Sequence, residues 1–352
     1  MLRFTRLFLA VSLLSVLAFA AAPPRIPKGT LPLKGRTVQS WMKSGVATSE
    51  NPLVYVSVLT SQTTGVTDIY EIADGAATLV GELNIGGGGP VAVDSQENVY
   101  VIAADYDDNL YQQNSQVFVY PRGSTESSFN FTASGFGAEA MTVGSDGTVY
   151  MTGPFYPNVN QYGGFKFAAG SSTGQALPTD PQQPIYATGL SLDADGNLFA
   201  GWFDGPNDPC LDGCVEKLST NEKKWRNSIP DLAANALVAG PFELSNGSQV
   251  IWTGVEGRFN YVETLAEGHK QPSQLAQLPT ALFANAPLAA ALNSDGTEIW
   301  ATETGLGGGP GSNVYQVDYP SGNVSFSFAV NDPQEFFLII GTAVSPTYFP
   351  AQ

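Results

Sequence analysis

From Asn51 onward, apolar residues recur at alternate positions in short runs, and Gly, Pro, Asn, Asp and Ser cluster between the runs. Period two is the mark of half-buried strands, and no stretch there carries the 3.6-residue period of a long helix. The runs return in a fixed order about every fifty residues. Val93–Val101 reads Val-Asp-Ser-Gln-Glu-Asn-Val-Tyr-Val and Gly144–Met151 reads Gly-Ser-Asp-Gly-Thr-Val-Tyr-Met. Asp193–Ala200, Ser245–Trp252 and Asn293–Trp300 repeat the pattern, with anchors Tyr100, Tyr150, Phe199, Ile251 and Trp300 spaced 50, 49, 52 and 49 residues apart. A degenerate first copy places Tyr55 45 residues before Tyr100. A fixed period of this length marks a repeat architecture.

Each repeat divides into four strands. In the second, Val91–Val93 and Val99–Ala103 flank a turn at Asp94–Asn98; Val117–Tyr120 and Ser128–Thr132 flank a Pro-Arg-Gly turn. The third strand recurs at Asp68–Ile72, Phe165–Phe167, Val215–Leu218, Tyr261–Thr264 and Val314–Val317. Four antiparallel strands per repeat, arranged radially, predict an all-β, six-bladed β-propeller. Small residues in or beside the first segments (Gly89, Ala138, Gly189, Gly240, Ala290, Gly341) suit crowded innermost strands. The N-terminal copy opens at Leu53 without a first strand, and Phe336–Val344 is a first strand without a repeat. Joining them closes the ring and removes an exposed edge.

The segments Val-Ala-Val-Asp-Ser-Gln-Glu-Asn-Val-Tyr-Val and Leu-Ser-Leu-Asp-Ala-Asp-Gly-Asn-Leu-Phe-Ala resemble NHL-type and SMP-30/gluconolactonase-like propeller repeats. The resemblance spans roughly Asn51 to Phe349 and rests on a structural motif, the turn and second strand of a blade. It implies the propeller fold and, for SMP-30-like members, a divalent cation held by carboxylates and Asn side chains. No residue of this chain takes a role from it.

Before the repeats, Arg3 and Arg6 precede an apolar run from Leu7 to Ala20 ending in Ala18-Phe19-Ala20. This is the layout of a secretory signal peptide, too short to span a bilayer. The chain is therefore divided into a signal peptide (1–20), an N-terminal arm or linker (21–50) and the propeller (51–352). It is expected to be secreted or periplasmic, without lipid anchor or transmembrane segment. Losing both arginines takes the net charge from −17 to −19. Such a charge repels nucleic acid and anionic membranes. Cys210 and Cys214 are the only cysteines, and in an oxidising compartment a small disulfide is favoured over a metal site. Asn130, Asn246 and Asn323 begin sequons.

Candidate chemistry belongs on the face carrying the loops between second and third strands and between blades, since convergent loops on a rigid scaffold build sites. Those loops are expected at Asp105–Gln116, Gly153–Gly164, Asp204–Gly213, Glu256–Arg258 and Glu303–Ser312. Asp105, Asp204 and Glu256 follow their anchors by five residues, Glu303 follows by three, and Glu139 enters an innermost strand. Either these five acids converge on Ca²⁺ or a similar cation, or they are solvated charges of a very acidic chain, the commoner arrangement. Tyr106, Tyr156 and Trp202 are candidates to stack on a ligand, or to cover the core. With His269 alone, neither a His-based triad nor a multi-His metal centre can be assembled. The expectation is a monomeric, exported propeller binding a small molecule, carbohydrate or protein at its loop face. The alternative is a metal-dependent lactonase or hydrolase of the SMP-30 type.

Overall fold

A computed structural model of the chain describes residues 39–59, 65–84, 88–106, 112–158, 161–178, 187–192, 195–202, 215–220, 223–229, 239–243, 249–256, 259–266, 273–277, 287–303, 312–319, 321–330 and 338–347. Apart from one 3₁₀ turn at Val46–Thr48, every regular element among them is a strand. The first sheet contains β1 (Trp41–Met42), β2 (Leu53–Leu59), β3 (Gly65–Ala73) and β4 (Ala76–Leu83). The second contains β5 (Val91–Val93), β6 (Val99–Tyr106), β7 (Gln112–Tyr120) and β8 (Phe129–Ser134). The third contains β9 (Ala140–Val143), β10 (Val149–Pro154), β11 (Tyr162–Phe167) and β12 (Gly174–Ala176). Next come β13 (Ala187–Leu192), β14 (Leu198–Trp202), β15 (Val215–Leu218) and β16 (Arg226–Ile229). The fifth sheet is β17 (Ala239–Glu243), β18 (Gln249–Glu256), β19 (Phe259–Ala266) and β20 (Ser273–Gln277). The sixth is β21 (Pro287–Leu292), β22 (Glu298–Glu303), β23 (Asn313–Asp318) and β24 (Val324–Ala329). The last strand, β25 (Leu338–Ser345), returns to the first sheet, whose order is β1-β4-β3-β2-β25.

Five sheets thus keep the four-stranded plan, and the first departs from it with a fifth strand. That strand comes from the stretch read as an arm: Trp41 and Met42 pair with Glu82 and Gly81. The pairing of β2 with β25 sets Leu53 opposite Ser345 and Tyr55 opposite Ala343. Every anchor lies in a second strand facing an innermost one: Tyr100 opposite Ala92, Tyr150 opposite Thr142, Phe199 opposite Ser191, Trp300 opposite Ala291. Ile251 faces the larger Phe242.

The core lies between sheets. Along β2 the side chains alternate strictly. Leu53 and Tyr55 pack with Val91, Val99 and Val101 of the second sheet, while Val54, Val56 and Val58 pack with Ala291, Trp300 and Val314 of the sixth. Period two therefore sends each face of the sheet to a different neighbour. Between the second and third sheets, Phe131 lies over Phe167 with centroids 4.4 Å apart, and Phe136 meets Phe165 edge to face at 5.0 Å. The innermost strands touch in the order β25, β5, β9, β13, β17, β21 and back to β25. Sheets packed face to face around a common axis make this an all-β β-propeller.

The repeated Asp/Asn turn between first and second strands is held by its own side chain. Asp94 Oδ1 accepts the Gln96 and Asn98 amides at 2.9 and 2.8 Å, and its Oδ2 accepts Asn98 Nδ2 and the Tyr100 hydroxyl at 2.9 and 3.0 Å. Burial, then the Asp94 charge, push the Tyr100 phenol up, so it stays a donor. Asn293 Oδ1 accepts the Thr297 and Glu298 amides, and Asp146 accepts the Thr148 amide and hydroxyl. Gly147, Gly196 and Gly296 supply the positive φ in their turns. Asp94 is buried and Asp146 exposed. Replacing Asp94 by Ala is expected to cost about 2–3 kcal/mol because four donors lose a charged acceptor, while Asp146→Ala costs about 1 kcal/mol or less. Urea melts of the two variants measure the difference, and equal losses would show that the buried phenol contributes nothing.

Candidate functional site

The strands place Asp105, Glu256 and Glu303 at or next to the ends of second strands. Innermost strands begin on the same side. Asp105 is the penultimate residue of β6 and Tyr106 its last; Trp202, Glu256 and Glu303 are the last residues of β14, β18 and β22. The expected loop boundaries are corrected accordingly: Asp105, Glu256 and Glu303 are strand residues, paired with Asn114, Phe259 and Asn313 of the third strands. The hydrogen-bond ladder continues past the point where apolar alternation fades, because backbone pairing does not need an apolar side chain. Asp204, Cys210, Cys214 and His269 lie outside the described residues, so the disulfide expectation does too.

Glu139 and Tyr156 are the candidates with described side chains, and one connection positions both. Residues 134–139 lead from β8 to β9. Gly135 accepts the Tyr156 amide at 2.9 Å, Gly137 donates to the Pro154 carbonyl at 2.9 Å, and Glu139 donates to the Thr152 carbonyl at 2.9 Å. Asn114, the residue opposite Asp105, accepts the Gly135 amide through Oδ1 at 3.1 Å. Ser115, fully buried, clamps the middle: its Oγ donates to the Phe136 carbonyl at 2.9 Å and accepts the Ala138 amide at 2.7 Å. A Cβ on Gly153 would run into the Gly137 carbonyl, so only glycine allows the connection to lie this close to β10. Beneath it the Phe136 and Phe155 rings pack 5.4 Å apart. Ser115 and Gly153 therefore fix the connection that leads into Glu139. Ser115 sits in the polar run Gln-Gln-Asn-Ser-Gln, which reads as loop, so nothing in the sequence marks it.

The Glu139 carboxyl is exposed, and no side chain donates to it among the described residues. Protein nevertheless crowds it from the sides, and that partial loss of water pushes its pKa up to about 7. Among the described residues no three His, Cys, Asp or Glu side chains converge as metal ligands. Tyr156 is half-buried, intermediate between a core cover and a free stacking surface.

No family model matches the chain, and no curated protein matches it by sequence. Solved structures do. TolB of Acinetobacter baumannii superposes with a TM-score of 0.55 at 10% identity, covering 84% of this chain and 66% of that one, just under two thirds. A chain of a nidogen/laminin complex gives 0.56 at 13% identity, covering 85% and 100%. A putative 6-phosphogluconolactonase of Bacteroides fragilis gives 0.52 at 8% identity, covering 84% and 98%. At such identities the likeness shows the fold alone, a β-propeller.

The raised pKa of Glu139 makes a signed prediction. Its folded value lies above its unfolded one, so between about pH 4.5 and 7 the folded state binds more protons and stability falls as pH rises. Glu139→Gln removes that loss. Its melting temperature should exceed the parent's above pH 7 and converge with it near pH 4.5, and a parallel offset at all pH values would exclude the ionisation as the cause.

Proposed function

We propose that this chain is an exported binding protein that takes a ligand or partner at the mouth framed by Glu139, Tyr156 and the ends of β6, β14, β18 and β22. The observation that carries this reading is the asymmetry between the two ends. At the turn end, Asp94, Asp146 and Asn293 spend their polar atoms inside their own turns. At the mouth, the Glu139 carboxyl stands on a rigid platform with no described side chain to satisfy it. Register brings Asp105, Tyr106, Trp202, Glu256 and Glu303 to the same end. The Arg-flanked apolar leader supports export. Among the described residues no helix is long and apolar enough to cross a membrane. A small molecule, a carbohydrate or a protein with cationic or hydroxyl donors suits such a rim, and nucleic acid does not, given the net charge of −17.

The second reading, a metal-dependent lactonase or hydrolase, is favoured by one feature. Asp105, Glu256 and Glu303 recur at or next to the ends of second strands, and with Glu139 and Asp204 they would supply hard oxygen ligands. A divalent cation there would polarise an ester carbonyl. Since the described side chains assemble no three-ligand group, no catalytic step is derived.

Thermal shift separates the readings. With millimolar CaCl₂, a rise in melting temperature that Glu139→Gln and Glu256→Gln abolish supports the cation site. For binding, glycan and peptide arrays are probed with the parent, with Glu139→Gln plus Tyr156→Ala, and with a turn-end Thr148→Ala control. Loss confined to the mouth variant supports the assignment; loss confined to Thr148→Ala would move the site to the other face.

We further propose that the six sheets are six blades of one ring, monomeric and closed within the first sheet. The support is the cyclic contact of the innermost strands and the packing of the sixth sheet on β2. Removing residues 336–352 should leave β2 with an unpaired inner edge and an uncovered apolar face, giving aggregation in light scattering. A soluble, cooperatively melting truncate would break the ring reading.

A further inference from the structure

We infer that residues 39–51 and the Arg122 side chain form an acid-released clasp that locks the join between the two ends of the chain. The clasp lies at the turn end, away from the mouth, so it is independent of the ligand reading. Arg122, in the turn between β7 and β8, reaches across to the first sheet. Its Nη2 donates to the Asn51 carbonyl at 2.6 Å and its Nη1 pairs with Glu97 Oε2 at 3.1 Å. The same Glu97 oxygen accepts the Ser345 hydroxyl, at the end of β25. On the other side, Glu71 Oε1 accepts the Ser49 hydroxyl and, at 3.2 Å, Asn51 Nδ2. One guanidinium and two carboxylates thus connect the strand that opens the ring, the strand that ends it, and the second sheet.

Three further observations show that the fold accommodates this contact specifically. Glu97 has φ 61, a left-handed conformation that Gly147, Gly196 and Gly296 adopt in the other turns. A non-glycine residue accepts that strain where its side chain is needed. Gly123, beside Arg122, leaves room for nothing: a Cβ there would collide with the Ala47 backbone, so the 3₁₀ turn is seated directly on the β7–β8 turn. Val46 is buried in the core between the first two sheets, and Ser40 accepts the Asn84 amide at 2.9 Å. The segment is therefore strapped down at both ends.

Acid acts on the carboxylates. The bonds from Ser49 and then Asn51 hold the Glu71 carboxyl below its usual range against an opposing loss of hydration, with lesser help from Lys43 and Arg122. A depressed folded pKa means the stabilisation is present above the unfolded value and is lost as pH falls through the folded one. The charged groups facing the clasp are Lys43, Glu71, Glu97 and Arg122, with the buried Tyr55 phenol beneath. Protonating Glu71 takes a negative charge from beside Lys43 and Arg122 and weakens the acceptor that holds Ser49 and Asn51.

Hydrogen exchange with mass spectrometry on the full chain tests this, with rates corrected for intrinsic pH dependence. Acidification from pH 7 to about 2.5, below the ordinary carboxylate range, should reduce protection of peptides covering 41–51 about tenfold more than that of peptides covering 99–106 and 149–154. Glu97→Gly, which relieves the strained φ and so should fold, is expected to loosen 338–345 already at pH 7 while leaving 149–154 unchanged. Glu71→Gln should loosen 41–51. Uniform loss over all peptides in acid, or unchanged exchange of 338–345 in Glu97→Gly, would overturn the clasp.

Discussion

The first and second sheets of this protein, whose side chains are described, are apolar on both faces, and that constraint organises how they pack. A sheet with one apolar face can lie on a core and show its other face to water, but one with two must be sandwiched. The alternation along β2 makes the requirement explicit, with Leu53 and Tyr55 committed to the second sheet and Val54, Val56 and Val58 to the sixth. The first sheet therefore cannot end a row without exposing a face. The first sheet meets the demand by drawing on both chain ends, β2 with β25, so that the residues most separated in sequence are hydrogen-bonded neighbours. The cost is loop closure over nearly the whole chain, which grows only slowly with length.

Sandwiched sheets also explain why the two ends of the molecule differ. At the turn end the chain reverses within a few residues, and Asp or Asn side chains satisfy the tight turn locally. The result is self-contained and leaves little to offer a ligand. At the mouth the chain must step from the outer strand of one sheet to the inner strand of the next. Residues 134–139 do so with their backbone pinned to β7 and β10, through Asn114, Ser115 and the Pro154 and Thr152 carbonyls. Backbone groups cannot be left unpaired at such a crossing, so the pinning is a structural necessity. Its by-product is a carboxyl presented from a fixed frame, which is the property a binding site needs.

The repeat was legible because it is a packing requirement written at fixed spacing. Tyr100, Tyr150, Phe199 and Trp300 stand out as large residues that always pair with the crowded innermost strand, and small residues face most of them. The ends of strands were less legible. Asp105, Glu256 and Glu303 read as loop because they are charged, yet the ladder carries them as strand termini. The strand Trp41–Met42 was hidden because two residues in a Pro- and Lys-containing stretch carry no period. Arg122 read as an ordinary Pro-Arg-Gly turn, since a sequence gives a residue's chemistry and not which distant chain end it meets. One signal was present: where the later copies have Asp-Gly or, once, Asn-Gly, the second repeat has Gln96-Glu97, a departure that makes sense only once Ser345 and Arg122 are beside it.

The two kinds of glutamate in this chain show how environment divides one residue type into separate tasks. Glu71 accepts hydrogen bonds from Ser49 and Asn51 and is held below its usual range; Glu139 has crowding without donors and is pushed up to about 7. The first is a charge the fold has satisfied, and its loss would loosen the join. The second meets no donor among the described side chains, so ionising it costs stability. In a chain of 32 acidic residues, composition cannot tell these cases apart. What distinguishes them is whether the surrounding backbone and side chains turn donors toward the carboxylate. At Glu71 they do. At Glu139 no described side chain does, and crowding alone acts on the carboxyl.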